Sequence, residues 1–340
     1  MLTEINLIGF KSFLSRELNL NKLTVLTGLN NSGKSSIIQA LLIMEKAFNA
    51  EKNILLEGHG SADEIKNIFF KDNITLSVIN ESKQVFEIKI LNTVSSKSYD
   101  VVNNDKMKYP ELIYISAHRF GPKTSIPIYN DSYKKNRIGA QGENLFQCIQ
   151  ILENEPLNSV LRHKNAEGET LLFNIRGWLS VISPNIKKFS YDINKVSDSS
   201  YSTFDEHRAT NVGFGLSYAL PVITALLVST LIPNCIVIIE NPEAHIHPKG
   251  QTEIARLIAL CVQAGSQVII ETHSDHLFDG IRIAAKNIEG FANSVQIHWF
   301  ELDDNGNTEV YSPILDRNGR LNEWPKGLFD QFEINSSELL

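Results

Sequence analysis

The segment Gly28-Leu-Asn-Asn-Ser-Gly-Lys-Ser35 constrains this chain more than any other. It satisfies the spacing GxxxxGK[ST], with the apolar run LTVLT before it and an apolar-periodic stretch from Lys34 to Phe48 after it. That order predicts a strand, a glycine-bounded loop and a helix. The glycines let the backbone curl so that successive N–H groups point at phosphate oxygens, and the helix start adds roughly half a positive charge. The expected phosphate contacts are Asn30, Asn31, Ser32, Gly33, Lys34, Ser35 and Ser36. Lys34 reaches the terminal phosphates, and the Ser35 hydroxyl ligates Mg2+. The segment therefore predicts binding of ATP or GTP.

Three later stretches extend this chemistry. Cys235 to Glu240 is an apolar strand ending in a carboxylate, the arrangement that holds Mg2+ beside a phosphate loop. Glu240 stands where Asp is more usual, so its longer stem must fold back or act through water. In many ATPases of this kind the next residue is a Glu that orients the attacking water. Here it is Asn241, which cannot accept a proton, and Glu243 is the nearest alternative base. A helix cap or a surface role is the other reading of Glu243. His245 and His247 have metal-like spacing but no cysteine or third histidine nearby, so loop packing or a dimer contact is expected. Gln267 to Ser274 places His273 after a core strand, where a neutral imidazole can hydrogen-bond the γ-phosphate. Finally, Asn211-Val-Gly213-Phe-Gly215-Leu-Ser217 opens a helix. A glycine-rich helix start is an anion site, and it cannot be the one Lys34 serves. It is expected to cap the γ-phosphate of a second copy, with ATP shared across a homodimer; a tight intrachain turn is the alternative.

Composition narrows the class. The chain has 340 residues, 42% hydrophobic and 21% charged, with 32 Lys plus Arg against 39 Asp plus Glu. The net charge of −7 argues against coating nucleic acid by bulk charge. Three scattered cysteines (Cys148, Cys235, Cys261) suit neither a disulfide framework nor a zinc site, so a reducing cytoplasm is expected. The N-terminus lacks a signal-peptide plan. The longest apolar tract, Ala219 to Ile239, is interrupted by Pro221, Pro233 and Asn234, which predicts a buried helix, a turn and a strand rather than a membrane span.

Along the chain, short strands are expected at Glu4 to Ile8, Glu17 to Leu20 and Leu23 to Thr27, and a β-meander from Ile74 to Val102. Another strand is read at Glu111 to Ser116. Residues 118–201 read as helical and irregular, with helices near Asn144 to Leu152 and Thr170 to Ile182. Alternating helices and strands follow, closing with Val295 to Leu302 and Thr308 to Pro313 around the turn sequence DDNGN. An α/β core carrying a helical lobe results.

The order of phosphate loop, glycine-rich signature, acidic strand and switch histidine resembles the ABC-type ATPase heads of the SMC, RecF and OLD group. Gly9-Phe-Lys-Ser-Phe13 is similar to the FKSF hairpin of SMC heads, which implies that Lys11 and Ser12 lie near the nucleotide base or ribose. Several strings look more closely like a bacterial subgroup of stand-alone AAA/OLD-like ATPases. These are YISAHRFGP (Tyr114 to Pro122), IGAQGEN (Ile138 to Asn144), NVGFGLSYALP, IENPEAHIHP, ETHSDHLFDGIR and EWPKGLFDQ (Glu323 to Gln331). That subgroup's C-terminal extension was long catalogued as a domain of unknown function. Some relatives serve as the ATPase of antiphage systems such as Septu, paired with a separate nuclease.

The resemblance implies a P-loop NTPase of ABC-ATPase type, with an antiparallel β subdomain and a helical lobe inserted between the Walker A and signature motifs. It divides the chain into residues 1–116, an insertion lobe at 117–210, the remaining ATPase core at 211–302 and an extension at 303–340. Asn241 belongs to the subgroup's ENPE pattern, and Gly213 stands where transporters carry serine. No nuclease domain is expected, since sixty-seven residues follow His273 and their Asp303 and Asp304 read as turn residues. Trp324, Pro325 and Phe329 are expected to pack onto the domain, with an apolar docking surface as the lesser reading. Arg119, Lys123, Lys134, Lys135 and Arg137 read as a solvated loop or as an edge meeting DNA or a partner, with Tyr129 and Tyr133 interleaved. Arg119 could alternatively meet the nucleotide.

Three functions remain open on these residues. The first is a dimeric ATPase switch with ATP and Mg2+ that controls a separate effector. The second is a scaffold that binds ATP without hydrolysing it. The third is a DNA repair or maintenance ATPase in the manner of RecF and SMC.

Overall fold

The computed structural model describes residues 1–91, 98–128, 138–184 and 186–339. The chain forms two compact units: Met1–Pro110 with Val295–Ile314 and Leu321–Leu340, and Glu111–Ser294 with Leu315–Arg320.

The first unit begins with β1 (Leu2–Phe10), β2 (Phe13–Asn19), β3 (Leu23–Gly28) and α1 (Lys34–Phe48), then β4 (Ile74–Asn80), β5 (Val85–Ile90) and β6 (Tyr99–Asn104). Five of these strands make an antiparallel sheet in the order β2-β1-β4-β5-β6. Register explains its buried face: Ile5 lies opposite Val78 and Leu7 opposite Leu76, while Leu76 faces Ile88 and Val78 faces Phe86. All six are at most 1% exposed. Each such side chain contributes about 1.5–3 kcal/mol on burial, so slipping a strand by one residue would forfeit the set. Helix α1 buries Ile37, Ile38, Leu41 and Met44 at helical spacing, and its last residue, Phe48, meets Phe86 edge-on at 5.5 Å.

The second unit contains β7 (Glu111–Ile115), β8 (Ile126–Pro127), α2 (Leu145–Leu152), α3 (Leu171–Ile182), β9 (Phe189–Asn194), β10 (Ser199–Phe204) and β11 (His207–Arg208). It continues with α4 (Phe214–Ser229), β12 (Cys235–Glu240), α5 (Pro248–Gln263), β13 (Gln267–Glu271) and α6 (Asp275–Asn287). Strands β7, β12 and β13 run parallel with β12 in the middle. Residues 235–239 of β12 are all buried, as a strand covered on both faces requires. Helix α4 is buried from Ala219 to Ser229. Its apolar surface runs right round, so it sits inside this unit. The small antiparallel sheet β11-β10-β8, with β9 also on β10, was not legible in the sequence and adds strands to the lobe read as helical. Its segments, such as SSYSTF, are polar and short and give little alternation.

The chain then returns to the first unit as β14 (Val295–Leu302), β15 (Thr308–Tyr311) and α7 (Gln331–Leu339). Strand β14 runs parallel to β3 and antiparallel to β15. The Asp303 carboxylate accepts from Asn305 N and Asn307 N at 2.9 and 2.8 Å, the side-chain geometry of a turn residue. At the C-terminal end Leu328 is fully buried and Pro325 and Phe329 are half-buried, while Trp324 is 47% exposed, so of the three residues expected to pack the tryptophan departs.

Strand β14 also carries a buried histidine. The Asn19 carbonyl can only accept, so His298 Nε2 holds the proton at 2.8 Å from it, and Nδ1 accepts from the Ser312 hydroxyl, also at 2.8 Å. Burial pushes this imidazole down to about 4. Its folded value lies below the unfolded one, so the unfolded state takes up the proton first on acidification. Stability should thus be full above about pH 6.5 and fall by about 3 kcal/mol as pH drops towards 4. Urea denaturation across that range, with His298→Asn as the comparison, should show a flatter profile in the variant.

Candidate functional site

In the first unit, residues 29–33 form the loop between β3 and α1, with Gly28 ending the strand and Lys34 opening the helix as expected. Gly33 caps α1 at φ 102°, a left-handed conformation that disfavours any side chain. Lys34 is 3% exposed, and its Nζ donates to the Gly28 and Leu29 carbonyls at 3.2 and 2.6 Å, folding the side chain back over the loop. Ser32 and Ser36 are buried, Gly33 and Ser35 half-buried, and Asn30 and Asn31 exposed. Asn31 itself takes a positive φ of 62°. Ser32 Oγ donates to the Leu29 carbonyl at 2.7 Å, which tightens the curl.

Two residues missed at the sequence level shape this loop. Thr308 Oγ1 lies 2.9 Å from the Ser32 carbonyl oxygen and 2.6 Å from Ser12 Oγ, and its backbone N donates to the Ser12 carbonyl at 2.8 Å. The Phe300 carbonyl accepts from Leu29 N at 3.3 Å. Both are about 270 residues away along the chain, and a threonine opening a hairpin strand carries no motif. Lys11 occupies the two-residue β1–β2 turn at φ 52°. Its ammonium donates to Gln39 Oε1 on α1, and burial lowers its pKa. Ser12 thus braces the loop, while Lys11 reaches the first helix.

In the second unit, the acidic strand ends in a pinned carboxylate. Glu240 Oε1 accepts from the Tyr114 hydroxyl and Oε2 from Ala117 N, each at 3.0 Å. Burial and the Glu240 charge together raise the Tyr114 phenol, keeping it a donor. Asn241 follows at φ 44°, its N donating to the Glu271 carbonyl at 2.8 Å. Glu243 Oε1 accepts from His273 N at 3.0 Å, while Oε2 is buried with no hydrogen-bond partner among the described residues. Desolvation raises this carboxyl above its ordinary value, partly offset by the His273 N–H and by Arg119. Its desolvated oxygen makes Glu243 a candidate proton acceptor. Glu243 does not cap a helix, since the cap of α5 is His247, whose ring accepts from Lys249 N at 3.3 Å. His245 packs against Tyr218 and Phe214 with ring centroids at 4.4 and 5.5 Å. Both histidines therefore have packing or capping roles, and no group of three His, Cys, Asp or Glu among the described residues could hold a metal ion. His273 is exposed at the end of β13.

The glycine-rich segment separates into distinct parts. A Cβ at Gly215 would lie 2.9 Å from the His245 carbonyl oxygen, so a close intrachain approach explains that glycine. Gly213 caps α4 with ordinary dihedrals (φ −62°, ψ 148°), and a Cβ there would meet none of the described residues within 4 Å. Asn211 and Gly213 are exposed, whereas Ser217 lines a small cleft together with Phe120, Gln141, Tyr201 and Pro221.

Arg119 corrects the expectation of a basic edge. It is 2% exposed and donates to four carbonyls: Nε to Tyr218 at 3.1 Å, Nη1 to Ser116 and Glu240 at 3.1 and 2.9 Å, and Nη2 to Asn241 at 2.7 Å. A guanidinium committed in this way cannot meet DNA or a partner protein. Burial lowers its pKa to about 10, where it stays charged at neutral pH. Lys123 is exposed, with Nζ 3.4 Å from the Phe120 ring centroid. Lys134, Lys135, Arg137, Tyr129 and Tyr133 lie outside the described residues.

A phosphate loop on a strand–helix junction, within mixed α/β architecture with parallel and antiparallel sheets, defines a P-loop ATPase fold of the SMC-head kind. The comparisons agree. Residues 130–278 match the family model described as AAA ATPase domain, and residues 292–339 match the one described as Protein of unknown function (DUF3696). Among solved structures the chain is similar to the SmcHead bound to the C-winged helix domain of ScpA, with 15% identity and a TM-score of 0.52 over 93% of this chain and 98% of that one. It is also similar to the Smc head domain with an extended coiled coil bound to the C-terminal domain of ScpA derived from Pyrococcus furiosus. There the identity is 13% and the TM-score 0.52, over 100% of this chain and 99% of that one. No curated protein matches the chain. The family match marks residues 130–278 as similar to an AAA ATPase domain, and the SMC heads share the fold. No helix among the described residues is long and apolar enough to cross a membrane.

Proposed function

We propose that this chain is an ATP-binding, ATP-hydrolysing switch that closes as a homodimer around Mg2+–ATP and regulates a separate effector. The carrying observation is the contrast between the two signature glycines. Gly215 is accounted for by its own chain, whereas Gly213 is exposed, unstrained and unobstructed. Among the described residues nothing crowds it, and beyond serving as the N-cap of α4 it has no intrachain approach that calls for a glycine. A backbone that must come close to an outside anion does.

The residues present fit the nucleotide and the ion. Residues 28–35 offer backbone N–H groups at the start of α1 together with the Lys34 ammonium. The half-buried Ser35 hydroxyl at the start of α1 would hold the ion together with phosphate oxygens and water. Glu240, with both oxygens already accepting hydrogen bonds, would act on it through water. Mg2+ would neutralise charge on the phosphates when bound. Lys34 orients the terminal phosphate, Glu243 takes the proton of the attacking water, and His273 reports the γ-phosphate. The effector is read as a nuclease in bacterial antiphage defence, on the resemblance of the ENPE and ETHSDH strings to ATPases paired with such a subunit. The second reading, a scaffold without turnover, draws on Asn241, which cannot serve as a base.

The test is Gly213→Phe. Its circular dichroism and single-chain ATP affinity should match the wild type, because a side chain there meets none of the described residues, and the melting temperature should fall by only a few degrees for the changed N-cap of α4. Dimerisation with a non-hydrolysable analogue, followed by sedimentation, should weaken by at least ~100-fold. An unchanged dimer would refute closure through this segment.

A further inference from the structure

We propose that Arg119 is a positioning residue that ties the start of α4 to the acidic turn after β12, so that engagement of residues 211–213 resets the Glu243 carboxylate. This rests on the reading of the chain as a nucleotide-closed ATPase and adds the route by which closure is sensed.

The guanidinium is a planar fork with five donors in fixed directions. Here it joins three separate segments: the Ser116 carbonyl after β7, the Tyr218 carbonyl on α4, and the Glu240 and Asn241 carbonyls at the end of β12. Its four acceptors are carbonyls and none is a carboxylate. An apolar side chain in its place would leave these carbonyls without their donor. A fork of directed donors adds a fixed geometry among the three backbones.

Helix α4 is weakened beside that carbonyl. Pro221 sits inside it and cannot donate to the Ser217 carbonyl four residues earlier, which loosens the first turns next to Tyr218. The turn it meets is held on two sides. Asn241 N is tied to Glu271 and Asn241 O to Arg119 and to Ala244 N, with the residue kept at φ 44°. A non-glycine residue in that region is held only by surrounding contacts, so shifting one of them moves the turn. A second contact runs parallel to the first: Gly215 lies against the His245 carbonyl, and the Tyr218 ring packs on the His245 imidazole at 4.4 Å. From this turn Glu243 reaches His273 N at 3.0 Å, so the base and the switch histidine move together. A displacement of the α4 start therefore reaches Glu243 through hydrogen-bonded backbone rather than through solvent.

The experiment compares Arg119→Lys with the wild type. Lysine keeps the charge but cannot bridge Tyr218 and Asn241 at once. ATP affinity and analogue-driven dimerisation should stay within about 3-fold of wild type, while kcat per folded site drops at least ~10-fold and KM is unchanged. An unchanged kcat per folded site would overturn the proposal and leave the ATPase reading standing. Absence of ATP binding or dimerisation in the wild type would overturn that reading, and the proposal with it. Since a buried arginine is also a folding element, the wild type supplies a second readout. Hydrogen exchange with the analogue should slow at residues 241–246 together with residues 214–218, and Gly213→Phe should lose both changes. Slowing confined to 214–218 would likewise overturn the proposal.

Discussion

Lys34→Ala is expected to abolish ATP binding, lowering affinity by at least ~100-fold in calorimetric titration, and with it any analogue-driven dimerisation. The ammonium already lies over its loop on two carbonyls, so little reorganisation is needed to turn it onto phosphate oxygens. Hydrogen bonds between charged groups contribute roughly 1.5–3 kcal/mol each, and losing two of them accounts for this fall. The fold should survive, because the loop is also braced by Thr308 and Phe300. Tight ATP binding by the variant would end the nucleotide assignment at this loop.

Glu243→Gln is expected to leave ATP binding and dimerisation intact while lowering phosphate release by ~100- to 10,000-fold, the usual range for loss of a general base. The amide is isosteric and can still accept from His273 N, so the turn keeps its shape while the proton acceptor is lost. In the wild type, turnover should fall on acidification as this carboxyl is protonated. Desolvation raises its pKa, so that limb should lie above the ordinary carboxylate range. Hydrolysis untouched by the substitution would remove Glu243 from the mechanism. No hydrolysis in the wild type, with binding intact, would favour the scaffold reading instead.

Much of the chain was legible from local pattern. The loop between β3 and α1 begins and ends where its spacing places it, and α1 spans Lys34–Phe48 as its apolar period predicts. The apolar tract broken by Pro233 and Asn234 resolves into α4 and β12. These features depend on neighbours within a few residues, where propensity, glycine and proline act directly. The sheet of β8 to β11 escaped because its strands are short and polar, and α7 because its apolar residues stay exposed.

Site roles divided differently. The proposed chemistry is read from GLNNSGKS, CIVIIENPE and NVGFGLS, since each places particular donors and acceptors at fixed spacing along a few residues. Which atoms those donors meet was not. A run of basic residues reads the same whether its first arginine faces solvent or four buried carbonyls, and NVGFGLS reads the same whichever glycine the fold itself consumes. Thr308 reaches the phosphate loop from about 270 residues away. Hydrogen bonding is decided within about 3 Å, and only chain folding sets which distant carbonyl arrives there.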